Sequence, residues 1–166
     1  MKYIKATTII LFLLVSGTSL VDAQDSSLKD MPKSFQIGEY EEGYGNLIKL
    51  YPKSLLNISG DSIELAYINW MYLLYDLEEH SKKINFDLRG LKIWLNVFWN
   101  KNGNIDYITY YPKPNSRNME FEKLTAFFID FVNHYKKRSS GIDNYAHFGS
   151  ARFPSFAEKY IPKEQR

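Results

Sequence analysis

Histidine is the residue type in this chain best suited to acid–base or metal chemistry, and the chain contains three, His80, His134 and His147. No two of them have the H-x-x-x-H or H-E-x-x-H spacing that places two imidazoles on one helix face as zinc ligands. His134 follows Asp130 by four residues, which puts both side chains on the same side of a predicted helix. An imidazole oriented by a carboxylate can act as a general base, but a surface hydrogen bond explains the same spacing. The sequence therefore predicts no metal site and no cofactor.

Other catalytic motifs do not occur in the sequence. The lack of cysteine excludes a thiolate nucleophile, a cysteine zinc site and a disulfide framework. There is neither a G-x-S-x-G nucleophile elbow nor a G-x-x-x-x-G-K phosphate loop. Acidic residues between Glu39 and Glu64, with Asp61 among them, can supply the carboxylate pair of a glycoside hydrolase, although a polar loop and a helix cap account for them more simply. A small secreted hydrolase stays open as an alternative function.

Aromatic side chains make up 16% of the residues, and several lie in the segment 91–111. Trp94 and Phe98 alternate there with an aliphatic series, and we expect Tyr110 to share their face of the strands. If no helix covers that face, it is an exposed apolar patch of the kind that binds partners; if a helix covers each face, the rings are core residues. Tyr107, Tyr110 and Tyr111 can also stack on sugar rings. The candidate binding residues are Trp94, Phe98, Tyr107 and Tyr110.

A hairpin must position these aromatic residues. Alternating apolar residues predict a strand over Leu91–Trp99, and Asn100–Asn104 has the Asn-Gly chemistry of a tight turn. We expect the return strand, Ile105–Tyr111, to end at the prolines that follow it. On this strand the alternation places one set of side chains on a common face, namely Ile105, Tyr107, Thr109 and Tyr111.

Two helices are predicted beside the hairpin. The first begins near Asp61, its expected cap, and frays near His80, and the second spans residues 121–135. Residues 34–60 mix short apolar runs with glycines and predict one or two short strands or extended segments, and a last extended stretch covers residues 145–153. This order predicts an α+β fold, a small antiparallel sheet with a central hairpin and two helices packed on it.

The N-terminal segment has the features of an export signal. Lys2 and Lys5 precede an apolar run that is shorter than the roughly 20 residues needed to span a bilayer, and small residues suited to signal peptidase follow. We therefore predict a signal peptide at 1–23, no membrane span after its cleavage, and a periplasmic or secreted location. Residues 24–33 are interpreted as a flexible lead-in and 34–166 as a single domain. The formal charge of +2 is too small for a nucleic-acid-binding footprint.

Four features follow one another over residues 91–153. They are a strand reaching Val97-Phe98, a turn and return strand at Asn102-Gly103-Asn104-Ile105, a helix over 121–135, and a closing Ala151-Arg152-Phe153. In this order they resemble the C-terminal domain of the TonB family, and Tyr51-Pro52 is similar to the family's Tyr-Pro before its first strand. The chain departs from that pattern by a helix from Ser62 to about His80, and by the expected lack of a retained membrane helix and a Pro-rich linker. The resemblance therefore implies an exported binding module, able to add a partner's strand at its sheet edge.

Together these features predict an exported, non-catalytic binding module of the bacterial envelope. Its partner is expected to be a protein or an envelope component, not a nucleic acid, recognised through the aromatic hairpin and a sheet edge. Besides the hydrolase, the alternative is an inhibitor or immunity protein that inserts a protruding loop into an enzyme's cleft. Residues 38–46 are the candidate for that loop.

Overall fold

A five-stranded sheet joins all the strands of the described chain. The computed structural model describes residue 28 and the ranges 30–136 and 143–165. The strands are β1 Ser34–Gln36, β2 Lys53–Ser54, β3 Lys92–Trp99, β4 Ile105–Pro112 and β5 Tyr145–Arg152. The helices are α1 Glu41–Leu50, α2 Leu55–Ile58, α3 Ile63–Lys83 and α4 Phe121–His134, and two 3₁₀ turns follow at Ala157–Tyr160 and Lys163–Gln165. The predicted α+β class is confirmed, whereas the predicted signal peptide at 1–23 and most of the lead-in at 24–33 lie outside the described residues.

The predicted hairpin forms the centre of the sheet. β3 pairs antiparallel with β4 on one side and with β5 on the other. The turn between β3 and β4 is closed by a hydrogen bond of 2.8 Å from the Gly103 amide to the Asn100 carbonyl. Gly103 has a φ of 82°, a left-handed conformation that glycine adopts without steric cost. The Asn-Gly sequence therefore folds as its turn chemistry predicts.

The sheet is mixed, so the prediction of a purely antiparallel sheet is wrong. Its order is β1-β4-β3-β5-β2, and both outer strands run parallel to their neighbours. A tight turn forces two strands to be antiparallel, but β1 and β2 are each joined to their partners through long stretches of chain. Their direction therefore depends on how the chain crosses the sheet, which local sequence does not encode.

The larger hydrophobic core lies on one face of the sheet, beneath α3 and α4. Both helices present apolar residues at steps of three and four, so each buries one side against the strands. The main contributors are Trp70, Leu73, Leu74 and Leu77 of α3, Leu124, Phe127, Phe128 and Phe131 of α4, and Ile93, Leu95, Val97 and Trp99 of β3. The two predicted helices are therefore confirmed, and both lie on the same face.

Both ends of α3 differ from the prediction. Ser62 is the cap, because its hydroxyl accepts a hydrogen bond from the Leu65 amide at 3.3 Å, and Asp61 has a left-handed φ of 57°. The helix continues past His80 to Lys83, and its basic last turn suits the negative end of the helix dipole.

In the described part of the chain, none of the helices is long and apolar enough to cross a membrane.

A helix that the sequence did not predict covers part of the second face. The segment 41–50 was expected to be extended, but it forms α1, which crosses this face between β1 and β2. Its two glycines weaken the helical signal, yet buried Gly43 gives Met31 room to pack against the helix. A smaller hydrophobic core, here called the second core, forms under α1 from Met31, Phe35, Leu47, Tyr51, Phe98 and Ala146.

A β-bulge changes which residues of β4 share a face. Phe98 pairs with Tyr107 and Trp99 pairs with Ile105, so Asp106 is the extra residue. Ile105 consequently lies in the larger core, while Tyr107 packs against the second core. The prediction that these two residues share one face is therefore wrong. The bulge aims the Asp106 carboxylate at Tyr51, whose hydroxyl donates a hydrogen bond of 2.6 Å to it.

Candidate functional site

The second face of the sheet is only half covered by α1. At its uncovered end three large rings lie side by side, and they are 50% (Trp94), 51% (Tyr111) and 54% (Phe148) exposed. Exposed Ser150 completes this surface, which we call the open face. Clustered exposed aromatic residues are unusual on a monomer and are typical of partner sites.

Strand register brings the three rings of the open face together. Trp94 on β3 is directly opposite Tyr111 on β4 and Ser150 on β5. Phe148 is opposite Asn96, so it is a diagonal neighbour of Trp94 on the same face. Opposite and diagonal neighbours in a sheet lie about 5 and 7–8 Å apart, within reach of aromatic side chains. The rings therefore form a continuous surface across the three central strands.

Tyr44 of α1 forms the boundary between the open face and the second core. The Asn96 amide donates a hydrogen bond of 2.9 Å to the Tyr44 hydroxyl, and Asn96 is buried. Burial raises the pKa of Tyr44, which keeps the hydroxyl protonated. The Phe98 ring contacts Tyr44 on one side and Phe148 on the other, with centroids 6.3 and 5.9 Å apart. The buried Phe98 ring thus supports one of the exposed rings, that of Phe148.

Three cations border the open face. The Lys113 ammonium lies 3.8 Å from the centroid of the Trp94 ring, in cation–π geometry. Lys92 and Arg152 are directly opposite each other on β3 and β5, on the same face as Trp94. Among the residues that the structure describes, none of these three side chains forms a salt bridge with a carboxylate. The border is therefore positive and able to receive acidic groups.

The edge of the sheet beside the open face is incompletely paired. β2 pairs only with Tyr145 and Ala146, so in the described chain β5 has no strand partner on that side from His147 onward. On the opposite face of β5, Trp70 packs on His147, with ring centroids 4.6 Å apart. A Cβ at Gly149 would lie 3.0 Å from the Trp70 ring, so glycine permits this close packing. The unpaired edge of β5 therefore adjoins the open face, because Phe148 and Ser150 belong to both.

Of the four residues predicted to bind a partner, one is well exposed. Trp94 lies on the open face, while Phe98 is on the predicted face but fully buried in the second core. Tyr107 is partly buried against that same core.

The predicted face of Tyr110 is wrong. It is opposite Leu95 in the register, so it lies under the helices of the larger core. Its hydroxyl lies 2.6 Å from the Thr125 hydroxyl and donates a 3.0 Å hydrogen bond to the Phe121 carbonyl.

The sequence predicted Tyr111 only as a sugar-stacking residue and did not predict Phe148 as a binding residue. The signal for Tyr111 was present, because alternation along β4 places it with Thr109 on the face opposite Tyr110. The signal for Phe148 was the alternation of Ala146, Phe148 and Ser150 along β5. Neither pattern could show that these positions are exposed, since exposure depends on where α1 ends.

The loop proposed for an inhibitor or immunity protein does not have the predicted form. Residues 41–46 belong to α1 and contribute buried Gly43 and Asn46 to its packed side, so the prediction of a protruding loop over 38–46 is wrong.

Two of the acids considered for a hydrolase have structural partners. Glu39 accepts a hydrogen bond of 3.0 Å from the Gln36 amide, and Asp61 accepts one of 3.0 Å from the Asn57 side chain.

A second group of chemically capable residues lies between α3 and α4, here called the histidine cluster. His80 Nε2 is 2.8 Å from Asp130 Oδ2, and His134 Nδ1 is 3.3 Å from Asp130 Oδ1. The predicted proximity of Asp130 and His134 on one helix side is confirmed. His80 joins them from the other helix, and a groove of about 380 Å³ opens beside the cluster. The third histidine, His147, lies on β5 against Trp70.

Comparison of the chain with family models, with curated proteins and with solved structures finds no match. The resemblance to the TonB C-terminal domain therefore stays a prediction from the residues of segment 91–153.

Proposed function

We propose that this protein is an exported, non-catalytic binding module of the bacterial envelope, which holds an acidic, extended segment of a partner protein. The segment lies across the open face and along the free edge of β5. The observation that carries this proposal is the juxtaposition of three half-exposed rings with three cations that have no carboxylate partner among the described residues. Export is supported by the signal features of residues 1–23.

The rings of the open face offer a substantial apolar contact. An aromatic side chain buries 150–250 Å², so three half-exposed rings leave about 300 Å² to cover, worth roughly 7 kcal/mol. Association itself costs about 4–15 kcal/mol in lost freedom and ordering. Ring burial alone therefore does not give a stable complex, and charge and backbone pairing must add to it.

The cations favour an acidic partner. Lys113, Lys92 and Arg152 carry charge that no carboxylate of the described chain neutralises. A carboxylate brought next to Trp94 would meet the Lys113 ammonium, which already lies over the ring. Complementary charges of this kind speed association and disfavour basic competitors.

The free edge of β5 favours an extended partner. A strand added beside His147–Arg152 would pair with backbone groups that no other strand of the described chain pairs on that side, by β-augmentation. Its side chains on one face would extend the row formed by Phe148 and Ser150. The resemblance to the TonB C-terminal domain implies the same mode of recognition.

The test is selection from a displayed library of random linear peptides against the full chain. We expect the enriched peptides to combine acidic and alternating apolar residues. Their affinity should fall at least ~10-fold for Trp94→Ala and for Arg152→Glu, because each removes a central contact. Phe121→Ala is the matched control, since Phe121 is a similarly exposed ring (47%) on α4 outside the open face. This variant should bind as the wild type does.

Two results would contradict the proposal. One is a library that yields no binders, or binders that Trp94→Ala retains at full affinity. The other is binding of acidic oligosaccharides that depends on Trp94 while no peptide binds, which would assign the face to carbohydrate. Circular dichroism spectra of each variant establish that a lost interaction does not come from unfolding.

A further inference from the structure

The histidine cluster has the composition of a transition-metal site. His80 Nε2, His134 Nδ1 and a carboxylate oxygen of Asp130 all lie within 4.8 Å of one another. We propose that these three residues bind a divalent transition-metal ion of the Zn²⁺ class. This inference is independent of the open face and of the partner proposed for it.

The donor atoms are close enough together for small side-chain movements to bring them around one metal ion. Two ligand atoms held at about 2.1 Å from zinc lie about 3.0–3.4 Å apart, for angles between a right angle and the tetrahedral value. Asp130 Oδ1 lies 3.3 Å from His134 Nδ1, within this range, and Asp130 Oδ2 lies 2.8 Å from His80 Nε2, in a hydrogen bond that a metal ion would replace. The side chain of His134 is 65% exposed, so it has room to adjust once its own hydrogen bond is released.

Two packed helices hold the donors in place. The His80 ring is 12% exposed and lies against Phe127 and Phe131, with centroids 5.8 and 5.5 Å away. Asp130 and His134 are on successive turns of α4, so the helix itself sets their spacing. The packing of partly buried His80 limits the ordering cost of binding at that ligand.

The donor set selects the class of ion. Two imidazoles with one carboxylate suit Zn²⁺ and the neighbouring divalent ions, whereas Ca²⁺ and Mg²⁺ prefer oxygen ligands. The adjoining groove of about 380 Å³ leaves room for water in the remaining coordination positions. Two acidic residues, Asp76 and Glu79, line this groove, and two lysines, Lys83 and Lys136, balance their charge.

Binding has an identifiable competitor within the protein. The His134 Nδ1–H donates a hydrogen bond of 2.8 Å to the Asp130 backbone carbonyl. A metal at Nδ1 replaces this bond and displaces the proton, which moves to Nε2 or to solvent. The hydrogen bond to the Asp130 carbonyl therefore competes with the metal ion for His134 Nδ1.

Calorimetric titration of the full chain with Zn²⁺, and visible spectroscopy with Co²⁺, test the site. We expect one ion per chain, with binding at least ~10-fold weaker in His80→Ala, Asp130→Asn and His134→Ala, since each removes a ligand. His147→Gln is the matched control, because His147 is the one remaining histidine of the chain and lies on β5. It should bind as the wild type does.

His134→Ala keeps the test decisive if removal of partly buried His80 disturbs folding. His134 is an exposed side chain at the end of α4, so its truncation leaves the core unchanged. Equal Zn²⁺ affinity in the wild type and His134→Ala, or no binding by the wild type, would overturn the proposal. A Co²⁺ spectrum unaltered by His134→Ala would do so as well.

Discussion

Phe98 and Trp94 lie on the same face of the same strand, and the half-covered sheet predicts very different consequences of replacing them. Phe98 is fully buried under α1, and Trp94 is half exposed. Phe98→Ala removes a ring from a closed site and leaves a cavity, so we expect the free energy of unfolding to fall by about 3–5 kcal/mol. Trp94→Ala leaves no cavity, because solvent fills the space.

The expected cost of Trp94→Ala follows from its contacts. It loses a cation–π interaction with Lys113, worth about 0.5–1 kcal/mol, and a cross-strand pair with Tyr111, worth about 0.2–1 kcal/mol. Together these two losses predict a decrease of about 0.7–2 kcal/mol in the free energy of unfolding. Phe128→Ala, in the larger core and also fully buried, serves as the reference and should resemble Phe98→Ala.

Urea unfolding followed by far-ultraviolet circular dichroism measures all three variants, because this signal does not depend on the tryptophan that is removed. The free energies extrapolated to water should rank Phe128→Ala and Phe98→Ala together, well below Trp94→Ala. If Phe98→Ala costs no more than Trp94→Ala, α1 does not close the second core. The division of this face into a buried and an open half would then be refuted.

Two further variants test buried polar groups. Tyr110→Phe should lower the free energy of unfolding by about 1–2 kcal/mol in urea, because the hydroxyl is bonded to Thr125 and to the Phe121 carbonyl; an unchanged value would contradict its placement in the larger core. Burial lowers the pKa of His147 beneath its ordinary value of 6.5, so the unfolded chain binds this proton more readily and the associated stability is lost as pH falls through that value. The thermal midpoint of His147→Gln should therefore decrease less than that of the wild type between about pH 7.5 and 5.5; parallel decreases would count against this role of His147.

The open face and the histidine cluster differ in how well they could be foreseen. Trp94 and the central hairpin follow from alternation and turn chemistry within one short segment. The pairing of Asp130 with His134 follows from helical spacing. His80 lies 50 positions before Asp130, on another helix, so no local spacing rule brings it to the cluster.

The amino-acid pattern determined the elements that are periodic over many residues, namely the hairpin, α3, α4 and the closing strand. Such periodicity records which side chains within one element share a face, because it arises from local backbone geometry. It does not record which other element covers that face. The tertiary structure decided that α1 buries Phe98 and stops before Trp94, that a bulge separates Ile105 from Tyr107, and that both outer strands run parallel. These outcomes depend on contacts between distant parts of the chain, whose free energy is set by packing and not by any single segment.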